Sequence, residues 1–257
     1  MELKTLLLEV KDGVAVVTLN RPPVNAQNAE MRAEIAQVFD ALTDMDDVAA
    51  VVLTGAGKVF CAGADIRERS GMAQAVGAYG KHNRLVRECY YAIVECSKPV
   101  VAAVNGAALG AGFGLVMAAD IWVAAEEAYV SMPEINVGLA GGVSFLQTYF
   151  SQSRARRMFY TGMQVPAQEL YRLGLVEACL PAAELMPYAM GIAQEIASKS
   201  PVAVRLAKEA ARMTKTMPLR DAYRYEQGNT VALSKTEDSK EAQRAFLEKR
   251  KPRYVGR

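Results

Sequence analysis

Three short pieces of this chain carry the residue types that acyl or enolate chemistry requires: a strand, a small-residue turn and a carboxylate. Val100 to Val104 is an apolar strand run that enters Asn105-Gly106, and a turn follows through Gly110-Ala111-Gly112. An apolar helix is expected from Ala111 to Ala119. Small residues let backbone approach a ligand closely, and the first N–H groups of a helix have no partner within it. Such groups hold developing negative charge. Asp120 and a second strand lead on to Pro133-Glu134, which sets a carboxylate beside that anion hole. Among Met132, Pro133 and Ile135, this carboxylate is expected to be partly desolvated, which moves a carboxyl pKa toward the range useful for proton transfer.

The elements that must position these groups follow from the pattern. Leu6 to Val10 and Val14 to Leu19 read as strands joined at Lys11-Asp12-Gly13, an Asp-Gly hairpin signal. Asn28 is an N-cap for a helix with Met31, Ile35, Val38, Phe39 and Leu42 at helical spacing. Ala49 to Thr54 is a buried-strand run, a loop holds Phe60 to Ile66, and a helical region is expected from Met72 to Glu95. Beyond Glu134 the pattern predicts helices up to Phe150, around Arg154 to Met158 and over Pro166 to Leu173. A strand near Leu175 to Leu180 follows, and from Ala182 onward the chain reads as helical, punctuated by Pro201 and Pro218. Strand–helix alternation followed by a helical end implies an α/β fold with a helical appendage.

Composition narrows the function classes. The chain has 257 residues, 51% of them hydrophobic, enough for a sizeable core without metals or disulfides. Net charge is +2 with scattered lysines and arginines, which argues against nucleic acid as the main partner. Cys61, Cys89, Cys96 and Cys179 form no CxxC pair and there is one histidine, so no metal site is expected. No run approaches membrane-spanning length and no signal peptide is evident, so a cytoplasmic location is expected.

The combination of Leu19-Asn20-Arg21-Pro22, Val24-Asn25-Ala26, Phe60-Cys61-Ala62-Gly63-Ala64-Asp65, Pro99 to Gly112, Asp120, Pro133-Glu134 and Ala245 to Arg250 resembles the crotonase (enoyl-CoA hydratase/isomerase) superfamily along nearly the whole chain. The resemblance implies an α/β spiral of ββα turns over residues 1–195 and a C-terminal helical trimerisation region over 196–257. It also implies acyl-CoA thioester substrates and a homo-oligomer, either a trimer or a dimer of trimers. Coenzyme A enters as part of the substrate, with no separate cofactor. The two oxyanion donors fall, on this resemblance, on the backbone N–H groups of Ala62 and Ala111, and the acid/base carboxylate on Glu134. Contacts to CoA fall on Val24, Ala26, Ala64, Asp65 and Ile66, with Phe246 and Lys249 from the C-terminal motif. Phosphate charge is to be met by Arg21, Arg67 or Lys249 of a neighbouring subunit.

One position departs from the pattern. The second glutamate of typical hydratases matches Gly114 here. Adding water needs one group to activate it and another to manage the α-proton, and losing one such group costs ~10²–10⁴ in rate. A single carboxylate can instead shuttle a proton, as in the family's Δ3,Δ2-enoyl-CoA isomerases, so that reaction is favoured. The dienoyl isomerases' aspartate matches Gly142, which disfavours that subtype. Asp65 and Glu68 are the further carboxylates that another loop could bring to the site, and the missing side chain at Gly114 suggests room for a bulky acyl group. The alternatives are a hydratase or other acyl-CoA lyase with an unusual acyl group, and a non-catalytic acyl-CoA-binding or assembly subunit. A serine-hydrolase reading would use His82, but no serine stands at the helix start.

Overall fold

The computed structural model describes residues 2–69, 72 and 75–257. The expected hairpin is present: β1 (Leu6–Lys11) and β2 (Val14–Leu19) pair antiparallel, with Lys11 opposite Val14. Asp12 and Gly13 both take positive φ, as a two-residue hairpin turn demands. Helix α1 (Ala29–Asp44) is capped by Asn28, whose side chain accepts from the Met31 N–H at 2.9 Å.

Three ββα-type turns follow. Strands β3 (Ala50–Gly55) and β4 (Val59–Cys61) precede α2 (Ala78–Glu95). Strands β5 (Val100–Val104) and β6 (Ala107–Leu109) precede α3 (Ala111–Ala118). Strands β7 (Ile121–Ala125) and β8 (Tyr129–Ser131) complete the set. In each turn the first strand joins one sheet and the second joins another. After β8 come a 3-10 segment (Pro133–Val137), α4 (Val143–Tyr149), α5 (Gln152–Thr161), β9 (Val165–Pro166), α6 (Ala167–Arg172) and β10 (Ala178–Leu180). The large sheet runs β1-β2-β3-β5-β7-β10 and is parallel from β2 onward; the small one runs β4-β6-β8-β9. The chain ends in α7 (Ala182–Ala197), α8 (Pro201–Thr214), α9 (Leu219–Leu233) and α10 (Glu237–Leu247).

Strands β3 and β5 are buried at every residue, so they read as continuous apolar runs with no alternation. Helix α7 lies against β2, β3, β5 and β7 and covers the large sheet. The small sheet was not visible in the sequence, because strands of two or three residues leave no periodicity to detect. The helix expected from Met72 begins at Ala78, and residues 70, 71, 73 and 74 lie outside the described set. The strand expected from Leu175 is shorter, starting at Ala178. Among the described residues, no helix is long and apolar enough to cross a membrane.

Asp120 fastens the junction between α3 and β7. Its Oδ2 accepts from the Val100 N–H at 2.7 Å and pairs with Lys208 Nζ at 2.9 Å, bringing α8 onto the start of β5. The Lys208 side chain is 7% exposed and also donates to the Lys98 carbonyl. Removing the carboxylate strands a buried ammonium, so Asp120→Ala should destabilise the fold by about 3 kcal/mol. Urea unfolding of the variant checks this; an unchanged midpoint would show that the pair contributes nothing net.

Candidate active site

Ala111 is the first residue of α3, so its N–H has no partner inside the helix. The preceding Gly110 takes φ 52° and donates its own N–H to the Ser131 carbonyl at 2.8 Å, which ties the helix start to β8. Two residues past Ser131 the chain enters the 3-10 segment that carries Glu134, and this half-buried carboxylate lies directly against Gly110. A Cβ at Gly110 would stand 2.5 Å from Glu134 Oε1. The expected pairing of helix start and carboxylate is therefore realised, and it depends on the absence of a side chain at residue 110.

The N–H expected as the first donor, that of Ala62, is engaged elsewhere. The Ala62 N–H donates to the Val24 carbonyl at 3.0 Å, so it is engaged within the scaffold, and Ala62 does not line the cavity. Ala64 does. Gln27 pairs with Ala64 in a parallel bridge: the Gln27 N–H donates to Gly63 O at 2.7 Å, and the Asp65 N–H donates to Gln27 O at 2.8 Å. In such a bridge the residues flanking Ala64 make the bonds, and the N–H of Ala64 points to the other side. Gly63, at φ 94°, packs so closely on β6 that an added Cβ would lie 2.7 Å from Leu109 O and 3.6 Å from the Ala111 nitrogen. Ala64 and Ala111 thus border one space with Glu134. Gln27 also joins the two halves through its fully buried side chain, whose Nε2 donates to the Ala111 carbonyl at 2.9 Å. No local pattern marked Gln27; its role comes from contact across 84 residues of sequence.

The space is a cavity of about 440 Å³ walled by one face of α2, by α3 and by residues 139–145. The room expected beside Gly114 is filled. A Cβ there would fall 2.6 Å from both Cζ and Oη of Tyr90, which reaches in from α2 and donates to the Ala111 carbonyl at 3.2 Å. Burial pushes the Tyr90 phenol well above its ordinary pKa, and the neighbouring Cys89, Cys61 and Glu134 add to the effect. Met117 lines the cavity, whereas Phe113 and Trp122 pack edge to face in the core. His82 also lines it, with its ring at an edge angle to Tyr79, but no serine does among the described residues.

Neither Asp65 nor Glu68 reaches the cavity. Glu68 accepts from the Ala29 N–H and pairs with buried Arg32 at 2.8 Å, serving the start of α1. Asp65 holds Arg67 at 3.0 Å and Arg21 at 2.9 Å. Arg67 first, then Arg21, keep its carboxyl well below the usual range against the opposing effect of burial. The two arginines expected at phosphate are thus engaged by Asp65, and Arg21 also donates to Ala26 O. Val24 and Ile66 are exposed nearby, while Phe246 and Lys249 are exposed at the end of α10, outside the cavity lining of their own chain.

Comparison with known proteins places this geometry. The family model described as enoyl-CoA hydratase/isomerase matches residues 9–257. The chain belongs to this family. A short-chain-enoyl-CoA hydratase of Clostridium acetobutylicum is 38% identical over 256 residues, covering 98% of this chain and 97% of the relative. A (7aS)-7a-methyl-1,5-dioxo-2,3,5,6,7,7a-hexahydro-1H-indene-carboxyl-CoA hydrolase of Rhodococcus jostii is 37% identical over 248 residues, covering 94% and 93%. The crystal structure of an enoyl-CoA hydratase from Bacillus anthracis superposes with a TM-score of 0.93 at 33% identity, covering 99% of this chain and 100% of that one. The fold is that of the crotonase enzymes, and the family acts on acyl-CoA thioesters.

Asp65 links the loop carrying Ala64 to the β2–α1 connection, so its ionisation matters to the site. Its folded pKa is depressed, so the stability it adds is present above the unfolded value near 3.9 and is lost as pH falls below it. Asp65→Asn should lower stability at pH 7 by about 2 kcal/mol, with the gap from wild type narrowing in acid. Denaturant titrations at pH 7 and at about pH 3 check this; a gap that is unchanged or widens in acid contradicts it.

Proposed function

We propose that this chain stabilises a thioester enolate between the N–H groups of Ala64 and Ala111 and moves one proton with Glu134, acting as a Δ3,Δ2-enoyl-CoA isomerase. The observation that carries this reading is that Glu134 is the one carboxylate lining the cavity among the described residues. The thioester oxygen would accept from both backbone donors, each of which is worth about 3–4 kcal/mol to such a transition state. Glu134 would take a proton from the α-carbon and return it to the γ-carbon, leaving the double bond conjugated with the thioester. The carboxylate is regenerated, and no water or further cofactor enters the balance. CoA is carried by the substrate.

Hydration of a 2-enoyl thioester is the second reading, favoured by the names of the relatives in Clostridium acetobutylicum and Bacillus anthracis. It requires activated water. Tyr90, which occupies the corner at Gly114, is a poor candidate for the base because its raised pKa keeps it protonated. The bulky-acyl reading built on open space at Gly114 loses its ground for the same reason. A homo-oligomer, either a trimer or a dimer of trimers, is part of the proposal. It is supported by exposed Leu219, Tyr223, Val231, Phe246 and Leu247 on α9 and α10.

The deciding experiment incubates the protein separately with 3-enoyl-CoA and 2-enoyl-CoA and identifies the products. Isomerisation of the first, reduced about 10²–10⁴-fold in Glu134→Gln, is expected. Prompt hydration of the second at a comparable rate would overturn the single-carboxylate reading. CoA thioester binding with no turnover of either would support the non-catalytic alternative.

A further inference from the structure

We propose that the Tyr90 hydroxyl donates a hydrogen bond to an oxygen on the β-carbon of the acyl group, so that the cavity prefers 3-hydroxyacyl or 3-oxoacyl thioesters to plain acyl chains of equal length. The inference rests on the preceding reading in one respect, that the thioester oxygen sits at the Ala111 N–H. Reach follows from the shared lining of the cavity. Tyr90 Oη is 3.2 Å from the Ala111 carbonyl oxygen, and the N–H and carbonyl of one helical residue lie within about 4 Å of each other. A thioester oxygen bound at about 2.9 Å from that N–H has its β-carbon only two bonds beyond the carbonyl carbon. The Ala111 carbonyl points along α3 away from the N–H, toward Gly114. Tyr90 lines the same cavity as Ala111, Gly114 and Glu134 with its hydroxyl in the corner at Gly114, so the phenol borders the acyl chain one turn of helix beyond the thioester oxygen.

The group standing there is a donor. Burial keeps the phenol protonated across neutral pH. Its present contact is long for an O–H···O bond, whose usual length is about 2.7–2.8 Å, so exchanging it for a substrate oxygen loses little. The ring is held in place by Phe145, edge to face at 5.8 Å, and by the missing side chain at Gly114, whose space it fills. A cavity that presents a fixed donor discriminates against a ligand with nothing to accept from it.

The test is equilibrium binding of 3-oxobutanoyl-CoA, 3-hydroxybutanoyl-CoA and butanoyl-CoA by calorimetry, in the Glu134→Gln background so that nothing turns over. The two β-oxygenated thioesters should bind about tenfold more tightly than butanoyl-CoA. Tyr90→Phe, which keeps the ring in its corner, should bring the ratio to within about twofold. Gly114→Ala, which displaces the hydroxyl without removing it, should also reduce the ratio. Equal affinities in the Tyr90 protein, or a preference that survives Tyr90→Phe, would overturn the proposal. Discrimination without turnover of any enoyl thioester by the Glu134 protein would sink the proton-shuttle reading and leave the role of Tyr90 standing. Free CoA binding as tightly as every thioester would overturn both.

Discussion

The structure depends on a close approach of two backbone segments, the start of α3 and the loop through Gly63 and Ala64. An amide N–H is a useful anion ligand only where its own fold leaves it unbonded, and the first turn of a helix is such a place. The site needs a second unbonded N–H a few ångströms away, and side chains on either segment would hold the two apart. Gly63 and Gly112 remove them: a Cβ on Gly63 would meet the Leu109 carbonyl, and one on Gly112 would meet the Cys61 carbonyl. The spiral of strand pairs supplies the rest, because β4 and β6 run side by side in the small sheet and deliver both segments to the same edge.

Gln27 converts that approach into a fixed geometry. Its backbone pairs with the Ala64 segment and its side chain bonds the Ala111 carbonyl, so one buried residue from the β2–α1 connection spans both halves. Tyr90 donates to the same carbonyl from α2 at 3.2 Å. The buried Gln27 bond at 2.9 Å is costly to leave unmade and resists rotation of the helix start, while the longer Tyr90 contact adds little to it. Glu134 is supplied separately by the chain leaving β8, close against Gly110. The segments carrying Ala64, Ala111 and Glu134 thus come from separate turns of the spiral, and the packing of those turns sets their distances.

Gly114 shows how a missing side chain changes meaning with context. As a letter in the sequence it signals the loss of a carboxylate and invites the idea of empty space. In the folded chain the space belongs to Tyr90, whose sequence position, 24 residues upstream in an amphipathic helix, carries no mark of proximity to residue 114. The chemistry at that corner changes from a group that accepts a proton to one that holds its own.

The sequence by itself determined the longer elements, the helix start at Ala111 and the carboxylate at Glu134, because these follow from local periodicity, capping residues and glycine placement. It also determined the family, through motifs whose order spans the chain. Only the tertiary structure decided that Ala64 and not Ala62 faces the cavity, since Gly63 at φ 94° turns the backbone between them and the carbonyl of Val24 that engages the Ala62 N–H lies in another segment. It alone decided that Asp65 and Glu68 serve arginines, that Gln27 joins the two donor segments, and that Tyr90 fills the corner at Gly114. Each of these is a contact between residues distant in sequence, and a hydrogen bond or a filled volume depends on separation in space, which local pattern does not encode.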